Sequence, residues 1–175
     1  MYIRGRKWDE VDERRIDRRS GFRERVEQLF LGQFYHNLDD KGRLTIPVRY
    51  RDLLLPDGAF VMQGFDKNLM VLPSDRYASL SHRVNQMSMT DSNARLLKRL
   101  IFSTAEKVDV DRAGRILIPQ FQRQFAGLVS SLVVVGMGDY FEIWAPETWN
   151  EQSEALADAQ SNPDRFSALN LAVAD

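Results

Sequence analysis

Two short segments of the chain carry an acid, a glycine and an arginine at the same spacing, D-x-x-G-R. These residues are Asp39, Gly42 and Arg43 in DDKGRLTIP, and Asp111, Gly114 and Arg115 in DRAGRILIP. A carboxylate can accept hydrogen bonds from turn N–H groups, and glycine adopts the positive φ that a tight reversal needs. The arginine then lies at a rigid tip, where its planar guanidinium suits phosphate oxygens or a guanine edge.

The same spacing has a second interpretation, in which no ligand is involved. Asp39 and Arg43 can pair with each other across the turn, as can Asp111 and Arg115, and either pair would stabilise the loop. The spacing alone does not separate this structural role from recognition of an anionic partner, and both stay open at this point.

The two segments belong to a longer internal repeat. An offset of 72 positions holds without a gap from Asp39 through Tyr77. Further identical pairs are Ile46/Ile118, Pro47/Pro119, Arg51/Arg123, Val61/Val133 and Gly64/Gly136. Such a repeat indicates one supersecondary unit that buries its apolar face against its copy. A pseudo-two-fold protein presents two equivalent turns, which can match the two-fold character of duplex DNA.

Alternation and turn residues predict the elements that hold these segments. We expect strands at 33–38, 44–46, 59–63 and 69–72 in the first copy and at 105–110, 116–118, 131–135 and 140–144 in the second. Pro47 and Pro119 each precede a short helix, because proline at a helix start lacks an N–H that would be unpaired there anyway. Turns are expected at 55–58, Gly64 and 136–139.

A helical linker is predicted between the copies. Thr90 or Asp91 is a suitable N-cap for the segment NARLLKRLIF. The leucines and isoleucine of this helix, Leu96, Leu97, Leu100 and Ile101, fall on one side and are expected to pack in the core. Arg95, Lys98 and Arg99 fall on the other side, and their role stays open between a solvated face and a phosphate or subunit contact.

Composition excludes several classes of function. The 175 residues include no cysteine and two histidines, His36 and His82, so disulfides, thiolate chemistry and a cysteine zinc site are excluded. The sequence contains no P-loop, no nucleophile elbow and no pair of histidines at the spacing of metal ligands. Asp39 and Asp40 are adjacent in sequence, so their carboxylates point to different sides and do not form a catalytic pair. We therefore expect no catalysis, no cofactor, no metal and no small-molecule substrate.

The distribution of charge is more informative than its sum. The formal net charge is −1, which by itself argues against a simple electrostatic nucleic-acid binder. Basic residues concentrate in 78–104 and acidic residues in 150–175, so a locally positive face can exist on a nearly neutral chain. No apolar run has the length of a membrane span, and the N-terminus has no signal-peptide core, so we expect the cytoplasm.

The repeat and its flanks predict five segments. These are a charged N-terminal extension at 1–29, a first domain at 30–79, a helical linker at 80–104, a second domain at 105–149 and an acidic, partly disordered tail at 150–175. The extension is interpreted in three ways: a solvated or partly helical tail, a basic arm that touches DNA phosphate, or a segment outside the working protein, with Val26 as an alternative start.

Several stretches in order resemble one known family. GQFYHNLDDKGRLTIPVRYRDLL, ARLLKRL, VDVDRAGRILIPQFQRQFAGL and VVVGMGDYFEIWAPETW together resemble MraZ over about residues 30–149. The resemblance implies a mostly β, α+β fold of two tandem AbrB-like swapped-hairpin units that form a pseudo-two-fold double-split β-barrel. It also implies a DNA-binding transcriptional regulator, usually a repressor, that acts on promoter repeats of the division and cell-wall gene cluster. Such regulators form ring-like homo-oligomers on the nucleoid.

The resemblance assigns roles residue by residue. The DNA-reading positions would be Lys41, Arg43, Arg112 and Arg115. Asp39, Gly42, Asp111 and Gly114 would shape the two turns. Arg95 and Arg99 match the linker arginines of the family, whose role stays open between DNA and subunit contacts. The second turn carries Ala113 where the first carries Lys41, so the two tips are not equally basic.

A protein-binding role is the alternative. Some antitoxins use a related swapped hairpin, and the acidic tail at 150–175 would then fold on contact with the partner. Such antitoxins usually carry one copy of the unit and dimerise, whereas this chain carries two. A stoichiometric partner that co-purifies would favour this alternative.

Overall fold

The computed structural model describes residues 28–55, 57–161 and 169, with side chains described in 28–55, in 57–158 and at 169. Residues 1–27, which form most of the predicted extension, and most of 162–175 lie outside the described residues. The described elements are β1 (Gln33–Asn37), β2 (Arg43–Thr45), α1 (Val48–Leu54), β3 (Ala59–Gln63), β4 (Leu69–Pro73), α2 (Ser74–Asn85), α3 (Ser92–Ser103), β5 (Glu106–Val108), β6 (Arg115–Leu117), α4 (Gln120–Phe125), β7 (Ser131–Gly136), β8 (Phe141–Trp144) and α5 (Pro146–Ser161).

The predicted α+β class is confirmed, and the helices begin where the sequence provides starting signals. Pro47 and Pro119 stand directly before α1 and α4. Asp91 caps α3 by accepting hydrogen bonds from Asn93 N and Ala94 N, which satisfies two of the unpaired N–H groups of the first turn. α2 begins at Ser74, ahead of the predicted linker start at residue 80.

The strands of the two copies are exchanged. A six-stranded sheet has the order β1-β7-β8-β4-β3-β5, and β2 and β6 form a separate two-stranded ribbon; all pairings are antiparallel. β1 of the first copy pairs with β7 of the second, and β5 of the second pairs with β3 of the first. Neither copy therefore completes its sheet alone. The described strands form an open sheet that ends at β1 and β5, and they do not close a barrel.

A pseudo-two-fold axis passes through two strand pairs. In the ribbon, Leu44 pairs with Ile116, which stands 72 positions later. In the sheet, Met70 pairs with Glu142, which also stands 72 positions later. Residues at equivalent positions of the two copies thus face each other directly at both places. The ribbon is therefore built from one strand of each copy around the axis.

The ungapped offset of 72, which the sequence predicts, is wrong for the alignment of β3 with β7. Phe60 pairs with Leu72, whereas Trp144, the equivalent of Leu72, pairs with Val133. β7 is therefore displaced by one residue relative to β3, and the hairpin that follows β7 is one residue shorter. A one-residue shift exchanges the two faces of a strand. The structural counterpart of Val61 in the main core is therefore Val134, and not Val133, which the offset of 72 aligns with Val61.

The main core lies between the sheet and the layer formed by the ribbon and short helices. It joins Leu44, Tyr50, Val61, Ile116 and Ile143, together with other residues of both copies. On the opposite face of the sheet, α2 and α3 cover the first copy, and α5 covers the second through Trp149. The ribbon therefore has one face on the core and one face on the solvent.

Candidate nucleic-acid interface

The first turn is fixed by the carboxylate of Asp39. Its Oδ1 accepts hydrogen bonds from Lys41 N at 3.0 Å and Arg43 N at 2.9 Å. The Arg43 Nε donates to Oδ2 at 2.7 Å. The chain reverses through Gly42, whose φ is 76° and whose N–H donates to Asp39 O at 2.8 Å. The Nε contact leaves the terminal amino groups of Arg43 at the outer end of the side chain.

The second turn repeats this geometry almost atom for atom. Asp111 Oδ1 accepts from Ala113 N at 2.9 Å and from Arg115 N at 3.0 Å. The Arg115 Nε donates to Asp111 Oδ2 at 2.9 Å, and Nη2 lies 2.8 Å from the same oxygen. Gly114 has a φ of 75°. The structural pairing that the spacing allowed is thus present in both turns, and it also fixes where each arginine lies.

Both turn carboxylates are held in the ionised form. The pKa of Asp39 is lowered chiefly by the hydrogen bond from the Arg43 backbone N–H, and that of Asp111 chiefly by the hydrogen bond from the Arg115 side chain. The same contact with Asp111 raises the pKa of Arg115, and Asp39, 3.7 Å from Arg115 Nη1, contributes to it. A lowered carboxyl pKa stabilises the folded turns above about pH 3.8, and this stabilisation is lost as the pH falls further.

Each turn is also held by the other copy. Ile46 N donates to Gly114 O at 2.9 Å, and Ile118 N donates to Gly42 O at 3.0 Å. The guanidinium of Arg123 lies against Gly42, and that of Arg51 lies against Gly114, so closely that a Cβ on either glycine would overlap it.

Each of these two arginines is anchored within its own copy. Arg51 Nε donates to Ile46 O, and Arg123 Nε donates to Ile118 O, both at 3.1 Å. The sequence interpretation gave Arg51 and Arg123 no role, although their identity in both copies was a signal. In the structure, each of them packs its guanidinium against the glycine of the opposite turn.

The ribbon brings both turn arginines onto one surface. Its register pairs Arg43 with Leu117 and Thr45 with Arg115, on either side of the central pair. The central Leu44 and Ile116 are buried in the core. Because side chains alternate along a strand, the outer face carries Arg43, Thr45, Arg115 and Leu117. Sequence reasoning missed Thr45 and Leu117, which the alternation around a buried Leu44 could have revealed.

The cations at the turn tips are exposed and unequal. Lys41 occupies the third position of the first turn, whereas Arg112 occupies the second position of its own. Within the described residues, neither charged group is paired with a carboxylate. Asp40, the equivalent of Arg112, is exposed. The first turn thus has two acids and two bases, and the second has one acid and two bases.

Two of the basic linker residues serve the loop between α2 and α3. Arg95 Nη1 donates to Met89 O and Thr90 O, both at 2.9 Å. Lys98 Nζ donates to Met87 O at 3.1 Å and more weakly to Asn85 O. Arg99 is exposed. Arg95 therefore has a structural role in the chain, and a DNA or subunit contact by Arg95 or Arg99 stays a prediction.

The packing of α3 differs from the prediction at one leucine. Ile101 is buried and Leu97 is partly buried against the same cluster, as expected. Leu96 is 65% exposed, so its expected burial is wrong. Ala94 takes a buried position on this helix instead.

Two kinds of feature are missing from the part of the chain that the structure describes. No group of three or more His, Cys, Asp or Glu side chains there is placed so that it could hold a metal ion. Among the described helices, none combines the length and the apolar character needed to cross a membrane.

Comparison with known proteins identifies the repeat. A family model described as "MraZ protein, putative antitoxin-like" matches twice in tandem, over residues 29–100 and 101–169. A protein of Thermomicrobium roseum named "Transcriptional regulator MraZ" is 43% identical over 129 residues, which cover 74% of this chain and 90% of the relative. A protein of the same name from a Roseiflexus species is 42% identical over 128 residues, with coverages of 73% and 89%. A third, from Desulforamulus reducens, is 40% identical over 130 residues, with coverages of 73% and 91%.

Proposed function

The chain belongs to the MraZ family, and from this premise we propose that it is a transcriptional regulator that binds double-stranded DNA sequence-specifically. The observation that carries this proposal is the β2–β6 ribbon with Arg43 and Arg115 together on its outer face. The major groove of B-DNA admits a two-stranded ribbon, and an arginine fork pairs with the O6 and N7 atoms of guanine. Arg43 and Arg115 are the readers in this proposal, and Asp39 and Asp111 set their positions.

In this proposal, the cations at the turn tips, Lys41 and Arg112, supply the contacts to the DNA backbone. Lys41 and Arg112 flank the ribbon at its two turns, where they reach phosphates on either side of the groove. Each phosphate that they neutralise adds about −0.9 to the slope of log affinity against log salt. With so few cations, one chain binds weakly, which agrees with the net charge of −1.

We propose that oligomerisation compensates for the weak DNA binding of a single chain. The family resemblance supports a ring-like homo-oligomer that engages repeated promoter sites as a repressor, at the nucleoid. Linked contacts raise avidity by effective concentration, by a factor of about 10² or more. The exchange of β1 and β5 between the copies supports the further proposal that each half is an AbrB-like swapped-hairpin unit.

The test separates base reading from charge. The full chain is titrated with a duplex from the region upstream of its own gene and with a shuffled duplex of the same length. In the Arg43→Lys/Arg115→Lys double variant, the lysines keep the charge and can still reach Asp39 and Asp111, but they lack the planar fork. We expect the preference for the specific duplex to fall by at least about tenfold, with little change in the salt slope.

A matched control uses Arg83→Lys, an exposed cation on α2 away from the ribbon. This variant is expected to keep both the preference and the salt slope. If the double variant keeps the same preference for the specific duplex, Arg43 and Arg115 do not recognise bases. Equal binding of the two duplexes by the unaltered chain would remove sequence-specific DNA binding altogether.

A second candidate function rests on the description of the family as antitoxin-like. Helix α5 carries Glu147 in its first turn and no basic residue in its last turn. In this proposal, α5 provides an acidic element for a protein partner, and it overlaps the segment 150–175 that the antitoxin-like hypothesis assigns to partner binding. A partner that co-purifies in a fixed ratio and is lost on deletion of residues 150–175 would favour this function.

A further inference from the structure

The outer face of the ribbon is symmetric at two positions and asymmetric at the other two. The axis through Leu44 and Ile116 relates Arg43 to Arg115, which are identical. The same axis relates Thr45 to Leu117, which differ. The backbone and the guanidinium groups thus follow the two-fold axis, and the remaining pair of side chains breaks it.

Leu117 has no role in the core. Its side chain is 53% exposed, whereas its neighbour Ile116 is buried at 1% exposure. It lies directly across the ladder from Arg43, with Arg115 two residues away on the same face. An exposed leucine between two guanidinium groups contributes little to folding, because its burial against this chain is incomplete.

We infer that Leu117 is a specificity-determining residue that contacts the 5-methyl group of a thymine in one half of each DNA site. The inference rests on the proposed function, since it requires the outer face of the ribbon to enter the major groove. Leucine has neither a hydrogen-bond donor nor an acceptor, and the apolar feature of base edges in that groove is the thymine methyl group. Arg43, across the ladder, places a cation beside this contact.

Thr45 gives the other half of the site a different requirement. Its hydroxyl group can donate or accept a hydrogen bond, so it tolerates polar base edges that leucine disfavours. The two halves of the DNA site are therefore unequal, although the protein scaffold is nearly two-fold. Each chain then binds with a fixed direction along the duplex, and successive chains of an assembly read repeats in the same direction.

The experiment removes one methyl group at a time from the DNA. Each thymine of a bound repeat is replaced singly by deoxyuridine, which keeps every hydrogen-bonding group and lacks the 5-methyl group. The affinity of the full chain is measured for each duplex. We expect a loss of about three- to tenfold at one or two positions on one side of the repeat.

Substitutions at Leu117 then connect that position to the residue. Leu117→Ala, whose side chain is too short to reach the methyl group, and Leu117→Asn, which is polar at a similar length, are expected to bind thymine and deoxyuridine duplexes equally at that position. Leu117→Met, which keeps an apolar contact, is expected to retain the difference. Leu55→Ala removes a leucine of similar exposure, 51%, at the end of α1 and is expected to retain it as well.

Each result decides the inference. Specific binding by the unaltered chain with no loss at any deoxyuridine would overturn the Leu117 contact and leave the proposed function intact. A difference that persists in Leu117→Ala would also overturn it. A difference that persists in Leu117→Met and disappears in Leu117→Ala and Leu117→Asn would support it. Absence of any specific binding by the unaltered chain would overturn both proposals.

Discussion

The two D-x-x-G-R turns have the same backbone but unlike tips. Asp39 and Asp111 accept equivalent hydrogen bonds, and the glycines that reverse the chain have φ values of 76° and 75°. The tips differ, since Asp40 and Lys41 stand where the second turn has Arg112 and Ala113. The residues that shape each turn are thus duplicated, whereas the exposed residues at the tips differ between the copies.

The same contrast appears along the pseudo-two-fold axis. The buried pair Leu44 and Ile116 is matched in size and polarity, and both residues fill the core. The sheet pair is unmatched, because Glu142 faces Met70. Burial raises the pKa of Glu142, and the hydrogen bond from Trp144 Nε1 at 2.9 Å partly offsets this. The ribbon pair thus keeps the same apolar character in both copies, whereas the sheet pair does not.

The largest expected effect tests whether the two turns depend on each other. In Gly42→Ala or Gly114→Ala, the new Cβ would be held at positive φ and would overlap the arginine of the opposite copy. We expect each variant to lose about 1–3 kcal/mol of unfolding free energy, in similar amounts and chiefly from the strained φ, measured by urea denaturation. Unequal losses would show that the turns are not equivalent in stability.

Gly127→Ala is the matched control for these variants. Gly127 has a φ of 65°, and a Cβ there would meet nothing within 4 Å, so its loss reflects backbone strain alone. Adding Arg123→Ala to Gly42→Ala should recover part of the loss by removing the overlap. Equal losses in Gly42→Ala and Gly127→Ala would contradict a restraint by Arg123.

An exchange of tip charges tests the difference between the turns. Asp40→Arg puts an arginine where the second turn has Arg112 and is expected to raise DNA affinity about three- to tenfold at low salt, with a steeper salt slope. Arg112→Asp is expected to weaken binding by a similar factor. The double variant should return close to the original affinity, measured by fluorescence anisotropy across a salt series. Arg83→Asp on α2 is the control, and an equal effect there would indicate a general charge effect.

The smallest expected effect concerns the unmatched pair on the axis. The pKa of Glu142 in the folded protein is raised above its ordinary value of 4.5. The folded protein therefore loses stability as the pH rises from 4.5 through the pKa of the folded state. Glu142→Gln keeps an acceptor for Trp144 and removes the charge. We expect it to stabilise the protein at pH 7 by less than about 1 kcal/mol and to have no effect near pH 4. A stabilisation that does not change with pH would contradict the role of the charge.

The local elements of this fold could be predicted because their signals are local. Asp91 caps α3 through its neighbours in sequence, and the D-x-x-G-R spacing positions its hydrogen bonds within five residues. The predicted burial of Leu96 is wrong because helical spacing shows which residues share one side of a helix. It does not show how much of that side is covered by the rest of the protein. The role of Arg95 was missed because its partners, Met89 O and Thr90 O, are backbone atoms of a loop whose shape the sequence does not specify.

The repeat, the two turns and the residues that shape them can be read directly from the amino-acid order. Three features emerge only when the chain is folded: β1 and β5 pair with the other copy, Arg51 and Arg123 pack against the opposite turns, and Thr45 and Leu117 lie beside the arginines on one face. The one-residue displacement of β7 is likewise visible only in the fold, where Val134 lies in the main core and Val133 packs on the opposite face of the sheet with Trp144. The physical reason is that strand pairing and burial depend on contacts between residues distant in sequence, which local patterns do not encode.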